Sequence, residues 1–501
     1  MTEMAKDARS DHQGDERDYL FYVLPSSNLT NSTTAGGLCW LEASQECETK
    51  NDTNPNEVRL ALPKLVTAPP SHHAINIVSE KIIPFVQPSA DSLDTSTSVD
   101  WHVIWNPAAG KRRAKAWLEQ LVIPLLTFAG ARFKVHETSL PTTNDSKNKN
   151  VHQDIFSLTP DQAKPIDRGH PKVILMGGDG TTYDFLNQIT TYDPSTGKPI
   201  IPSFELLIIP LGTANALFFS AHPSASDLNK PRNVLRSLLL ALFSTTAPPS
   251  EQVSKTLQLA HVRVFDSDHQ LTHQAIAHVV ISTALHAAIL HTADQLRDSP
   301  EFEGSSRFFE AFKRNNTRLW KASLLLLPIT SPDSGSSSSI LRYEPDDEKF
   351  ITISESDQDT LMEGEFSYFT SCLIDRLEAN FVIAPMRSSL TYESNHSIDI
   401  VVLRPKRDIR MKDLVGDELG TASAHQVTEV MSGASNSGHH LQLTLPDGQP
   451  TVEYFRCGGW EWRSSSPDQE VCIDGMLIKI PENGSVQCAV INNTTHRVIM
   501  W

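Results

Sequence analysis

Val173-Ile174-Leu175-Met176-Gly177-Gly178-Asp179-Gly180-Thr181-Thr182-Tyr183-Asp184-Phe185-Leu186-Asn187 decides the reading of this chain. Its first residues form a short, unbroken apolar run, the pattern of a strand buried on both faces of a parallel sheet. A glycine-rich turn follows at once, and then an amphipathic helix. Glycines let backbone N–H groups approach an anion closely, and a helix N-terminus adds partial positive charge. Asp179 stands out in such a turn. A carboxylate repels phosphate unless it handles a metal or takes a proton. Taken alone, the turn reads equally well as a tight strand-to-helix connection with an exposed acid.

Two further turns tip the balance. Leu206-Leu207-Ile208-Ile209-Pro210 is a second apolar strand, ended by Leu211-Gly212-Thr213-Ala214-Asn215 and a helical run. Val103-Ile104-Trp105 is a third, followed by Asn106-Pro107-Ala108-Ala109-Gly110-Lys111-Arg112-Arg113, which lacks the spacing of a P-loop. In a parallel sheet such strand ends open on one edge, where open α/β folds bind ligands.

The ordered set N-P-x-x-G-K, G-G-D-G-T and P-L-G-T-x-N resembles the catalytic domain of the diacylglycerol kinase and sphingosine kinase superfamily. The resemblance covers roughly residues 100–330 and continues more weakly to the C-terminus. It implies an ATP-dependent lipid kinase that uses Mg2+. The expected fold is α/β plus β: a Rossmann-like parallel-sheet lobe, then a β-sandwich lobe. By the same resemblance, Asp179 is the general base. Asn106, Gly110, Thr138, Gly178, Gly180, Thr181, Gly212, Thr213, Asn215, Arg307 and Asp474 meet the nucleotide, and Asp184 supports the site. Thr142 and Thr143 compete with Thr138, and the metal ligands stay open. Arg307 lies in Gly304-Ser305-Ser306-Arg307-Phe308, which is similar to the family's G-x-x-R-[FY]. Asp474 lies in an Asp-Gly step that also reads simply as a hairpin turn.

The C-terminal stretches Val452-Glu453-Tyr454-Phe455-Arg456 and Asp474-Gly475-Met476 resemble sphingoid-base kinases more than other members. A sphingoid long-chain base is therefore the expected acceptor. Diacylglycerol or ceramide, an NAD kinase-like activity, and a non-catalytic lipid- or nucleotide-binding relative are the alternatives. Departures from the family pattern are Met476 for the Glu of D-G-E, Ala214 for a common Gly, Tyr183-Asp184 for a common Asn-Glu, and Ala288 for the Asp that binds the sphingoid amine.

The totals agree with this outline. The chain has 501 residues, enough for two or three domains. Its formal charge of −17 argues against broad nucleic-acid binding. The six cysteines show no metal-ligand spacing and read as reduced thiols of an intracellular protein. No secretory signal is apparent at the polar N-terminus, and no run is long enough for a membrane span. A cytoplasmic protein touching intracellular membranes peripherally is the expectation, its lipid substrate lying at the membrane surface.

In order, residues 1–18 read as a disordered tail, 19–88 as a small β module and 89–99 as a linker. Residues 100–246 read as the catalytic lobe and 247–501 as the sandwich, with a disordered Ser/Asp/Glu-rich insertion at 331–361. Within the sandwich, 284–297 and 308–327 read as helices, and so does the region from 416 to 438.

Overall fold

The computed structural model describes residues 18–24, 37–42, 64–68, 84–86, 101–138, 170–244, 255–297, 299–302, 306–329, 339–353, 360–387, 396–491 and 498–500. Of the tail 1–18 expected from sequence, residues 1–17 lie outside these and Asp18 begins a strand; the linker 89–99, Thr142 and Thr143 lie outside as well. Of the N-terminal β module, four strands are described, ordered 64–68, 37–42, 18–24, 84–86.

Four strands carry the first lobe: β1 (Trp101–Trp105), β2 (Phe133–Glu137), β3 (Lys172–Gly177) and β4 (Phe204–Pro210). They lie in the order β4-β3-β1-β2, all parallel. Successive side chains point to opposite faces. Val173, Leu175, Leu206 and Ile208 enter one core; Ile174, Met176, Leu207 and Ile209 enter another. Both faces are covered, which is why the strands read as continuous apolar runs rather than alternating ones.

Helix α1 (Asp179–Ile189) follows β3, and helix α2 (Ala216–Ala221) follows β4. Two more strands extend this sheet beyond β4. Val498–Met500 pairs parallel with β4, and Lys255–Thr256 pairs antiparallel with 498–500. The division at 246/247 read from sequence places both in the second lobe. The chain instead returns to the first sheet at its last described strand, a long-range pairing that leaves no local signal.

The second lobe is a β-sandwich. One sheet has six strands, ordered 271–277, 260–265, 485–490, 459–464, 320–327, 361–366. The other has eight, ordered 349–353, 340–344, 453–457, 398–403, 368–372, 280–283, 470–473, 476–479. Trp460, Trp462, Phe366 and Phe369 fill the space between them. The indole N–H groups donate to Ser371 and Gln469, so burying the rings leaves no donor idle.

Two sequence readings are corrected here. The segment 308–327 is not one helix. Helix α4 (Ser306–Asn315) ends early, and Trp320–Leu327 is a strand in which Trp320, Ala322, Leu324 and Leu326 face inward. A leucine run fits either period, and the alternation that decides it is visible only once one face is covered. The insertion 331–361 is not wholly without structure either. Ile340–Glu344 and Lys349–Ile353 form a hairpin that joins the eight-stranded sheet. Tyr343 and Phe350 pack on Tyr454, and their apolar alternation is masked by serines and acids nearby. The helix expected from Ala284 is found as α3 (Ala284–Gln295), and the one beyond Gly416 spans Gly416–Ser435.

The lobes are stitched together by α1. Asn187 donates to the carbonyl of Ile276 at 3.0 Å and accepts from its N–H at 2.8 Å. Tyr183, one turn earlier, belongs to the sandwich core. The helix that follows the glycine turn thus fixes that turn against the second lobe.

Candidate active site

The turns after β3 and β4 meet back to back. A Cβ built on Gly178 would stand 2.7 Å from the Gly212 Cα, and one built on Gly212 would stand 2.4 Å from the Gly178 Cα. Any side chain at either position forces the two backbones apart. Asn215 holds the second turn shut: its Oδ1 accepts from Gly212 N–H at 2.7 Å and its Nδ2 donates to Gly212 C=O at 2.9 Å. It does so from the left-handed region, at φ 51°. Asn is enriched there because its short polar side chain bonds locally. Gly180 meets nothing within 4 Å where a Cβ would stand, so its backbone faces open space.

Asp179 is the first residue of α1, and its carboxylate reaches across to α2. Oδ2 accepts from Ala216 N–H at 2.9 Å and Oδ1 from Leu217 N–H at 3.0 Å. Burial pushes its pKa above the ordinary carboxylate range. The charge of His278 and the two N–H donors pull it back part of the way.

These turns open onto a cavity of about 750 Å³ between the lobes. Its polar wall is made of Asn106, Gly178, Asp179, Gly180, Thr181, Asp184, Gly212 and Thr213. Asn106 donates from Nδ2 to Thr181 Oγ1 at 3.3 Å and accepts from Ala108 N–H at 2.9 Å, joining the turn after β1 to the turn after β3. The opposite wall comes from α3 and α4 and from the strand 476–479. Leu290, Ala293, Phe308, Met476 and Leu477 make it apolar, with Asp294, Arg297 and Arg307 interspersed. Arg297 pairs with Asp294. Arg307 lies over the Phe308 ring, 4.8 Å from its centroid, and its Nε is buried with no hydrogen-bond partner. Burial and the charge of Arg297 lower its pKa, and the charge of Asp294 pulls it back part of the way.

The structure therefore gathers Asn106, Gly178, Asp179, Gly180, Thr181, Asp184, Gly212, Thr213 and Arg307 around one cavity, with Asn215 bracing it from behind. Gly110 falls in the helical turn Ala109–Arg112, and Ala108 and Ala109 beside it reach the wall. Thr138 ends β2 on the same edge of the sheet, its N–H bonded to Trp105 C=O, but is not among the wall residues. Ala288 lines a different hollow of about 350 Å³, with His291, Glu470 and Lys479.

Asp474 also lies on the wall of this cavity, with its carboxylate engaged by the protein itself. It sits with Gly475 in a tight hairpin turn, at φ 50° and 95°, between the paired residues Ile473 and Met476. Its side chain is fully shielded from solvent. The carboxylate accepts from the N–H groups of His278, Val279 and Val280 at 2.8–2.9 Å. Only the backbone of this turn is left to face the cavity.

The sequence directs the search for an apolar cleft to the helix from Ala284 and the segment after it, where this wall is found, but it does not reveal His278. The wall had a signal: Leu290, Ala293, Asp294 and Arg297 follow the spacing of one helix face. His278, fully buried, had none.

Residues 100–241 match the family model of the diacylglycerol kinase catalytic domain. That domain holds β1 to β4 and both glycine turns, while the apolar wall lies outside it. The search of curated proteins returned no match. Among solved structures the chain is similar to a diacylglycerol kinase from Bacillus anthracis str. Sterne, at 13% identity and a TM-score of 0.39, covering 81% of this chain and 97% of that one. It is also similar to yeast NADH kinase complexed with NADH, at 9% identity and a TM-score of 0.34, covering 81% and 84%. At these values neither speaks to a substrate.

Proposed function

We propose that this protein is an ATP-dependent lipid kinase that phosphorylates a hydroxyl of a sphingoid long-chain base. The observation that carries the reading is the pairing across one cavity: a catalytic-domain phosphate cradle on one side, an apolar wall on the other. Phosphoryl transfer asks the protein mainly to position the groups and to stabilise charge. The open N–H groups at the start of α1, the Thr181 and Thr213 hydroxyls and the unmatched Arg307 suit the phosphates. Leu290, Phe308, Met476 and Leu477 suit an acyl or alkyl chain.

Asp179 lies where the walls meet and takes the proton of the attacking alcohol. Its raised pKa brings it nearer the working pH of a general base. When bound, Mg2+ offsets charge on the phosphates. Among the described residues no cluster of three or more His, Cys, Asp or Glu could hold a metal ion. Asp184 and Asp294 on the wall fit an ion carried mainly by the nucleotide. Among the described residues no helix is long and apolar enough to cross a membrane. The choice of a sphingoid base over diacylglycerol or ceramide rests on the C-terminal sequence pattern.

One observation favours a non-catalytic reading: both Asp179 oxygens already accept from α2. A carboxylate oxygen keeps a second lone pair, so a proton can still be received. Labelled ATP offered with sphingosine, ceramide, diacylglycerol and NAD separates the cases. Phosphorylated sphingosine, lost in Asp179→Asn, supports the proposal. No labelled product with any acceptor overturns it in favour of a binding protein.

A further inference from the structure

Phe309 stands on α4 with 64% of its surface exposed, and nothing in the reading above employs it. A single exposed apolar side chain is ordinary. The setting of this one is not. Its neighbour Phe308 lines the cavity between the lobes, and so do Met476 and Leu477 on the strand 476–479. Met476 is itself 44% exposed. The apolar wall of the cavity thus continues onto the outer surface at two points.

Helix α4 is held with Phe309 outward. Ala311 and Asn315 are buried, and Asn315 Nδ2 donates to Thr292 Oγ1 of α3 at 2.8 Å. Helical spacing places Phe309 and Lys313, four residues apart, on the face away from that anchor. Lys313 Nζ lies over the Phe309 ring, 4.5 Å from its centroid.

Charge singles out the same face. The chain as a whole carries a formal charge of −17. From 306 to 318 the balance reverses: Arg307, Lys313, Arg314 and Arg318 stand against Glu310 alone. Glu310 is itself paired with Arg314 at 2.8 Å. An apolar ring flanked by cations matches the surface of an anionic bilayer, where the ring enters the acyl boundary and the cations meet headgroups. The apolar stem of Lys313 lets its charge reach the headgroup level while the ring beside it goes deeper.

We propose that the outer face of α4, led by Phe309 and Lys313, docks this protein on an anionic lipid bilayer and holds the cavity mouth at the membrane. The choice of a bilayer over an acidic protein rests on the lipid-kinase reading, whose acceptor lies in a membrane. The docking itself needs neither ATP nor turnover. Two adjacent phenylalanines divide the work: Phe308 faces the cavity, and Phe309 faces the lipid.

The test is co-sedimentation of the full chain, without ATP, with vesicles of phosphatidylcholine alone and of phosphatidylcholine mixed with phosphatidylserine. The wild type should bind the mixed vesicles in preference, and more weakly as salt rises. Phe309→Ser should weaken that binding by about 10-fold or more, since the ring loses its burial. Lys313→Gln should weaken it by about 5-fold, the share of one cation near an anionic surface. Neither side chain lines the cavity, so both variants should keep the wild-type Tm and the turnover of substrate dispersed in detergent. A wild type that ignores the mixed vesicles, or binds both kinds equally, overturns the proposal, and so does Phe309→Ser binding as the wild type does. Should Phe309→Ser fail to fold, Lys313→Gln decides: weakened binding supports the proposal, and undiminished binding overturns it. Dimers that Phe309→Ser abolishes, with no vesicle binding, overturn it in favour of a contact between two copies of the chain. A chain that binds vesicles through Phe309 yet phosphorylates no lipid keeps the docking surface and sinks the kinase reading.

Discussion

Two buried charge clusters in this molecule are built on opposite plans. In the sandwich, Asp399 is fully shielded and fully engaged. It accepts from Arg456 Nε at 2.7 Å, from Arg456 Nη2 at 2.9 Å and from the Tyr454 hydroxyl at 2.6 Å, with Arg387 Nη1 at 3.4 Å. Arg387 donates further to the carbonyls of Leu373 and Ser397, and Arg456 to that of Met386. At the cleft, Asp179, His278 and Asp474 leave one acid beside a cavity and one imidazole nitrogen idle. A satisfied network fixes one arrangement of the core. An unsatisfied one beside a hollow holds capacity for a ligand or a proton. On the proposed reading, the first cluster serves the fold and the second serves chemistry.

The comparison breaks first at Asp179. Asp179→Asn should lower lipid-dependent turnover by about 10²–10⁴-fold, the usual contribution of a general base, while ATP still binds. Turnover at the wild-type rate would place the base elsewhere. Next comes Asp399→Ala, which strands two arginines in the sandwich. Chemical denaturation should register a loss of about 3–5 kcal/mol, and the activity of the molecules that stay folded should be unchanged.

His440 sharpens the contrast by pH. It is fully buried, and its Nε2 lies 3.0 Å from Ile383 C=O. Burial holds its pKa down at about 4. A depressed folded value means its contribution is complete above the ordinary value near 6.5 and fades as pH falls toward 4. The loss is of order 3 kcal/mol. His440→Gln should flatten that limb of a plot of Tm against pH. An identical slope in wild type and variant would deny it the role. His278, with its pKa raised, works in the other direction: its contribution is complete below the ordinary value and fades as pH climbs through the raised one.

The smallest expected effect is Gly212→Ala. The new methyl meets the Gly178 backbone, and overpacking of this kind costs about 1–3 kcal/mol. ATP affinity, read by titration calorimetry, should weaken more than stability does. Undiminished affinity would mean the paired turns need not touch in order to bind.

The polar half of this site was legible because it is local. Three of the first lobe's strands, β1, β3 and β4, are apolar runs that end in a glycine or amide turn, so sheet, edge and cradle follow from one pattern. The other half was hidden by distance. His278 is a lone histidine after Ala275-Ile276-Ala277, and its partner Asp474 lies 196 residues away. The strand 498–500 gives no hint that it returns to β4. The hairpin at 340–353 was obscured by its composition, and the leucines of 320–327 by a period that only the covered sheet reveals. The helical face Leu290–Arg297 was readable in principle, once its spacing is set against a cavity.

The clasp between Asn187 and Ile276 bears on how such a cleft is entered. Two hydrogen bonds from one amide tie the lobes together next to its mouth. On the proposed reading, a long-chain guest would thread past α3 and α4 at the rim, with the two lobes already tethered beside it.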